Sequence, residues 1–202
     1  MKKLYLLLGS LFVATSLSAA NLPADIKPTD LRTYGDKKNP TTIYVFSSLT
    51  CPHCATFHKN VMPKIKEKYV DTNKAQLVYV DMPYDPMAMT GFTISRCMPA
   101  DKYESFMNLM FENQMLWYNS EKPREIMTRF ATMLGGVAKE DVDKCLNNTE
   151  LKKKIIEQRT NLAELYGVTG MPTVVYAKGT QSQKIEGADE MAILSLLDER
   201  MK

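Results

Sequence analysis

Apolar positions along this chain change period several times, and each change marks an element. TIYVFSS (42–48) is a β-branched and aromatic run between Pro40 and a cysteine pair, which predicts a buried strand. From Pro52 to Tyr69, the residues Phe57, Val61, Ile65 and Tyr69 recur at helical spacing. They predict a helix that starts at the cysteine pair and kinks at Pro63, whose ring cannot sit inside a regular turn. AQLVYVDMP (75–83) predicts a second strand closed by Pro83, and strand–helix–strand in this order favours a parallel pair with a right-handed crossover.

Residues 86–166 contain no strand-like alternation. Their pattern is helical around 87–98, 101–118, 122–134, 139–147 and 149–166, with breaks at Asn119–Ser120, Pro123 and Gly135–Gly136. After Gly167 the period reverts. PTVVYAK (172–178) and SQKIEGA (182–188) predict strands around a KGT turn, and DEMAILSLLDERM (189–201) predicts a closing amphipathic helix. The order is βαβ, a helical block at about 86–166, then ββα. It predicts one α/β domain over 21–202 carrying a helical insertion, with no internal repeat.

The first twenty residues break from this plan. MKKLYLLLGSLFVATSLSAA has two lysines, an apolar run and a small-residue end, the layout of a cleavable export leader over residues 1–20. The apolar run is too short and too interrupted to span a membrane comfortably, and no cysteine follows the expected cleavage point to carry a lipid. Removing Lys2 and Lys3 leaves 26 − 2 = 24 basic against 23 acidic residues. A net charge that small gives no footprint for nucleic acid or an anionic membrane surface. Apolar content of 45% and charged content of 24% exclude a disordered chain. The polar stretch 21–40 shows no heptad stalk, so a monomer is the expectation.

Candidate chemistry concentrates in TCPHCAT (50–56). Cys51 falls where strand gives way to helix, so free backbone N–H groups and the helix dipole favour its thiolate. Pro52 suits the first helical position, since its missing N–H would be unpaired there anyway. His53 adds a protonatable neighbour that further favours the anion. Cys54 lies one turn in, more shielded and close enough to bond to Cys51. The pair thereby has an exposed nucleophile and a resolving partner, as thiol–disulfide exchange requires. A zinc site would need two further ligands at matching spacing, which His58 and the distant single cysteines do not supply, so no metal is expected. An inert structural Cys-x-x-C bridge is the other alternative, and its strained small ring argues against it.

GVTGMPT (167–173) leads into the strand TVVYA. With FSSLTCPHC after one strand and VTGMPT before another, the chain resembles the DsbA-like family of exported thiol–disulfide oxidoreductases, over roughly 38–201. From Cys54 to Pro172 is 172 − 54 = 118 residues, more than a bare thioredoxin fold needs, and the surplus corresponds to the helical insertion. The resemblance implies a thioredoxin fold with that insertion between its βαβ and ββα halves. It implies Cys51 as nucleophile, Cys54 as resolving cysteine, Pro172 as a cis-proline, and Met171 with Gly170 as substrate-facing backbone. It further implies a periplasmic location, unfolded exported proteins as substrates, a membrane quinone-linked protein that reoxidises the pair, and no organic cofactor. One departure matters: some family members bury an acid on the first strand as a proton relay, and IYVFSS has none, so another group or water must move the proton.

Cys97 and Cys145 both lie in the helical block. In an exported chain two leftover cysteines are expected to pair, and closing a loop of 145 − 97 = 48 residues would stabilise by roughly 4 kcal/mol in the chain-entropy model. His58 reads either as a residue at the base of the site or as a helix-surface histidine. The fourteen methionines read mainly as core, with an adaptable substrate surface as the lesser reading. Two rivals to a disulfide-introducing enzyme remain open from sequence: an isomerase or reductase using the same site, and a binding or chaperone module in which the cysteines are incidental.

Overall fold

A computed structural model describes residues 31–202; the leader expected over residues 1–20 lies outside the described residues. Five strands form one mixed sheet in the order β1-β3-β2-β4-β5. They are β1 (Arg32–Tyr34), β2 (Thr41–Ser47), β3 (Gln76–Asp81), β4 (Thr173–Lys178) and β5 (Gln181–Glu186). β2 and β3 run parallel, and the pairs β1–β3, β2–β4 and β4–β5 are antiparallel. The edge strand β1 is absent from the sequence reading. It has three residues, too few for period-two alternation to register, and pairing with β3 defines it.

The pleat divides the two cores. Ile43 and Val45 of β2, Leu77 and Tyr79 of β3, and Val174 and Tyr176 of β4 face one side. Their alternates Tyr44, Phe46, Val78, Val80, Val175 and Ala177 face the other. This is the alternation expected of central strands buried on both faces. The first side is covered by α1 (Pro52–Asn60), α2 (Met62–Ile65), a π-helical turn (Lys66–Val70), the C-terminal helix α9 (Glu190–Arg200) and part of the insertion. The predicted helix face is the buried one, with Phe57, Val61, Ile65 and Tyr69 at 0–2% exposure. Its interruption comes at Val61, between Asn60 and Met62, because Pro63 starts a new helical segment.

The insertion comprises α3 (Pro86–Cys97), α4 (Tyr103–Glu112), α5 (Gln114–Tyr118), α6 (Pro123–Gly135), α7 (Lys139–Leu146) and α8 (Thr149–Leu165). The single helix read over 101–118 is two, separated at Asn113, which caps the end of α4 and the start of α5. α8 brings Leu162 to the second face of the sheet. Asp81, at the end of β3, anchors the insertion: it accepts from Arg96 Nε at 2.7 Å and from Tyr103 Oη at 2.9 Å, all three side chains being buried. A disulfide joins Cys97 of α3 to Cys145 of α7, with Cα atoms 6.3 Å apart. Of the methionines, Met98, Met107, Met110 and Met127 are core, whereas Met115 is 61% exposed.

Candidate active site

β2 ends at Ser47, and the chain turns through Ser48–Thr50 into α1, so the sheet delivers Cys51 to a helix N-terminus. Cys51 is the N-cap, with extended backbone, and Pro52 takes the first helical position. The Cys51 sulfur accepts from the backbone N–H of Cys54 at 3.3 Å, so one otherwise unpaired amide of the first turn points at it. Cys51 is partly exposed and Cys54 fully buried, and the two stand as thiols. The Cys51 thiol is lowered from 9.0 to about 6. The largest cause is the hydrogen bond from the Cys54 thiol; the amides of Cys54 and His53 and the His53 charge add to it, and desolvation opposes them. Cys54 moves the opposite way, because it shares that bond as the donor and because burial disfavours its anion. The two sulfurs thereby differ: one favours its thiolate and the other its proton.

The surrounding loop is fixed by polar contacts. Gln114 of α5, itself buried, donates through Nε2 to the carbonyls of Leu49 at 2.7 Å and Cys51 at 3.0 Å. Thr50 donates to the Asp85 carboxylate at 2.5 Å, and that carboxylate also caps α3 by accepting from the Ala88 amide. The Ser48 amide donates to Cys54 Sγ at 3.5 Å. Gln114 and Asp85 come from the insertion and from the β3–α3 loop, so they carry no local signal in the TCPHCAT stretch.

The Met171–Pro172 peptide bond is cis. Phe46 of β2 pairs with Thr173 of β4, so this loop lies at the same end of the sheet as the cysteines. Thr173 Oγ1 donates to the Gly170 carbonyl at 2.8 Å, and the Gly187 amide to the Pro172 carbonyl at 2.7 Å. Met171 is partly exposed and packs against both cores. His53 is exposed, in the first turn of α1 between the two cysteines. Cys97 and Cys145 are bonded to each other in the insertion, apart from the Cys51–Cys54 pair.

His58 is not a surface histidine. It is 5% exposed, stacked on Phe111 at 3.8 Å, with Nε2 3.1 Å from Ser47 Oγ. The helical spacing that buries Phe57 also turns the next residue inward, toward the gap between α1 and α4. Among the described residues, no cluster of His, Cys, Asp and Glu could hold a metal ion, and no helix is long and apolar enough to cross a membrane.

The thioredoxin family model matches residues 27–194. The chain belongs to that family. Within it the chain stands with the DsbA-like proteins. The crystal structure of alpha-DsbA1 from Wolbachia pipientis superposes with a TM-score of 0.76 at 25% identity, covering 87% of this chain and 92% of that one. Chlamydia trachomatis DsbA shares the fold, with a TM-score of 0.69 at 20% identity over 91% of this chain and 98% of its own. A Rickettsia felis relative that carries the name protein-disulfide oxidoreductase is 30% identical over 149 residues, or 73% of this chain. The chain spans only 53% of that relative's length and 55% of its Rickettsia typhi counterpart. The DsbA-like architecture, a thioredoxin sheet with α3–α8 between β3 and β4, is the one described above.

Proposed function

We propose that this DsbA-like protein is an exported thiol–disulfide oxidoreductase that introduces disulfides into folding proteins through Cys51 and Cys54. The observation that carries the reading is the opposed behaviour of the two sulfurs, Cys51 partly exposed with its thiol lowered to about 6 and Cys54 buried behind it. A substrate thiolate attacks Cys51 of the bonded pair, Cys54 leaves with the electron pair, and a mixed disulfide forms. A second substrate thiolate then attacks the substrate sulfur of that bond, releasing an oxidised substrate and the reduced Cys51.

Magnitudes limit what the thiolate alone does. At pH 7 a shift from 9.0 to about 6 favours the reduced pair by no more than about 1.4 kcal/mol, or about 30 mV, and solvent screening at a partly exposed sulfur trims it. The oxidising direction therefore draws support also from relatives named for disulfide bond formation, such as disulfide bond formation protein D of Bacillus cereus, 27% identical over 154 residues. Substrate contact fits the backbone of Gly170, Met171 and Pro172, where an extended peptide would add as a strand. Leu116 and Tyr118, 59% and 46% exposed, follow on α5 the Gln114 that reaches the Cys51 carbonyl, and they would offer a substrate apolar surface. The leader-like residues 1–20 support a periplasmic location, where a quinone-linked membrane partner would reoxidise the pair. The test is oxidation of a reduced, unfolded substrate by the wild type and by Cys51→Ala. Loss of oxidation in the variant is expected; equal oxidation by both would end the reading.

A further inference from the structure

Cys54 must lose its proton to attack a mixed disulfide and must gain one after leaving as a thiolate. Its sulfur has no exposure, so solvent cannot serve it directly. Cys51 cannot serve either while it is bonded to substrate, because its sulfur is then in the mixed disulfide. Besides the Ser48 amide, which donates to the Cys54 sulfur, the Ser47 hydroxyl favours the Cys54 anion. Ser47 follows Ile43 and Val45 on the same pleat face, which turns its hydroxyl toward α1.

Behind Ser47 stands His58. Its Nε2 is 3.1 Å from Ser47 Oγ, and its Nδ1 is a buried nitrogen with no hydrogen-bond partner. A buried, unpaired ring nitrogen is costly, and where one persists a reason is needed. The ring also borders a cavity of about 300 Å³ lined by Lys66, Glu104, Asn108, Phe111 and Glu112, and exposed Asn108 and Glu112 put that cavity at the surface. Burial holds the imidazole neutral, its titration lowered to about 3. A neutral imidazole can accept at one nitrogen while releasing from the other.

We propose that Ser47 and His58 form the proton path between Cys54 and the α1–α4 cavity, a role that rests on the oxidoreductase reading above. On resolution, Cys54 S–H donates to Ser47 Oγ, Ser47 O–H donates to His58 Nε2, and His58 Nδ1–H gives its proton to a water admitted from the cavity that the ring borders. The path ends with a Cys54 thiolate, an intact Ser47 hydroxyl and a neutral imidazole of the other tautomer. When Cys54 leaves as a thiolate, the same transfers run backwards. The groups facing His58 are compatible with a neutral relay. Tyr79 of β3 stacks at 5.9 Å with its hydroxyl held protonated by burial, and Phe111 of α4 covers the other side. Across the cavity, Glu104 is ion-paired with Lys66, and Lys59, Asp71 and Glu112 line the remainder.

The path is tested by mixing reduced protein with dithiobis(nitrobenzoate), which releases one coloured thiolate when Cys51 attacks and a second when Cys54 resolves the mixed disulfide. Ser47→Ala should leave the first release unchanged and slow the second by about 10²-fold, the low end of general acid–base contributions. The slowed phase should become proportional to hydroxide, whereas the wild-type phase has no such dependence. Ser47→Thr, which keeps the hydroxyl, should restore the rate, and His58→Leu should reproduce the Ser47→Ala result. A second release at the wild-type rate in Ser47→Ala, an equal slowing of both releases, or no restoration by Ser47→Thr would overturn the path. A wild-type protein that releases neither equivalent would overturn the oxidoreductase reading and the path together.

Discussion

Acid should destabilise this protein through His58, and the size of the effect follows from its burial. The ring is 5% exposed and titrates near 3 in the folded state against 6.5 when free, desolvation being the cause. Below about pH 6.5 the unfolded chain takes up a proton that the folded chain refuses. The stability contributed by this site is therefore whole above that pH and is lost as the pH falls toward about 3. Between pH 7 and about pH 4.5 the expected loss is about 2.5 kcal/mol, a large part of a typical folding free energy. The assay is urea unfolding of wild type and His58→Leu at both pH values. Leucine has similar volume and no titration, and the carboxylates common to both proteins cancel in the double difference. The variant should lose about 2.5 kcal/mol less than wild type on acidification. Identical losses would refute the claim that a neutral, desolvated imidazole sits between α1 and α4.

Thiolate absorbance of the reduced protein should titrate with a midpoint near 6, and His53→Ala should raise that midpoint because a favourable charge is lost. Removing the second bridge with Cys97→Ala and Cys145→Ala together should cost up to roughly 4 kcal/mol in thermal or chemical unfolding, while the thiolate midpoint of Cys51 stays in place. Gln114→Ala leaves the buried Leu49 carbonyl without its donor, while the Cys51 carbonyl keeps the Ala55 amide, so it should lose about 1–3 kcal/mol of stability and broaden amide exchange across residues 49–51.

Much of the fold is legible along the chain because the central strands are apolar on both faces and the helices have one buried stripe. β2, β3 and β4 stand out as short apolar runs bounded by Pro and Gly, and α1 by Phe57 and Val61 at helical spacing. β1 does not stand out, since three residues gain their identity from the partner strand, and the break at Asn113 comes just before Gln114, whose hydrogen bonds reach the cysteine loop. Within the site, the cysteine pair is visible because a helix N-cap and a proline at the next position leave a local signature. Gln114, Asp85 and Ser47 leave none: each acts over tertiary distance, and a serine at the end of a strand reads as a strand end. His58 illustrates the same limit, because spacing alone puts it at the border of the apolar stripe, and only the approach of α4 with Phe111 decides that it is buried.

The central claim, that Cys51 and Cys54 form a pair that gives its disulfide away, is tested most directly by equilibrating the protein with glutathione redox buffers and measuring the fraction of the pair that is bonded. The account predicts a midpoint above about −200 mV, in the range of pairs that oxidise other thiols. A midpoint well below about −200 mV would contradict it and make the site that of a reductant.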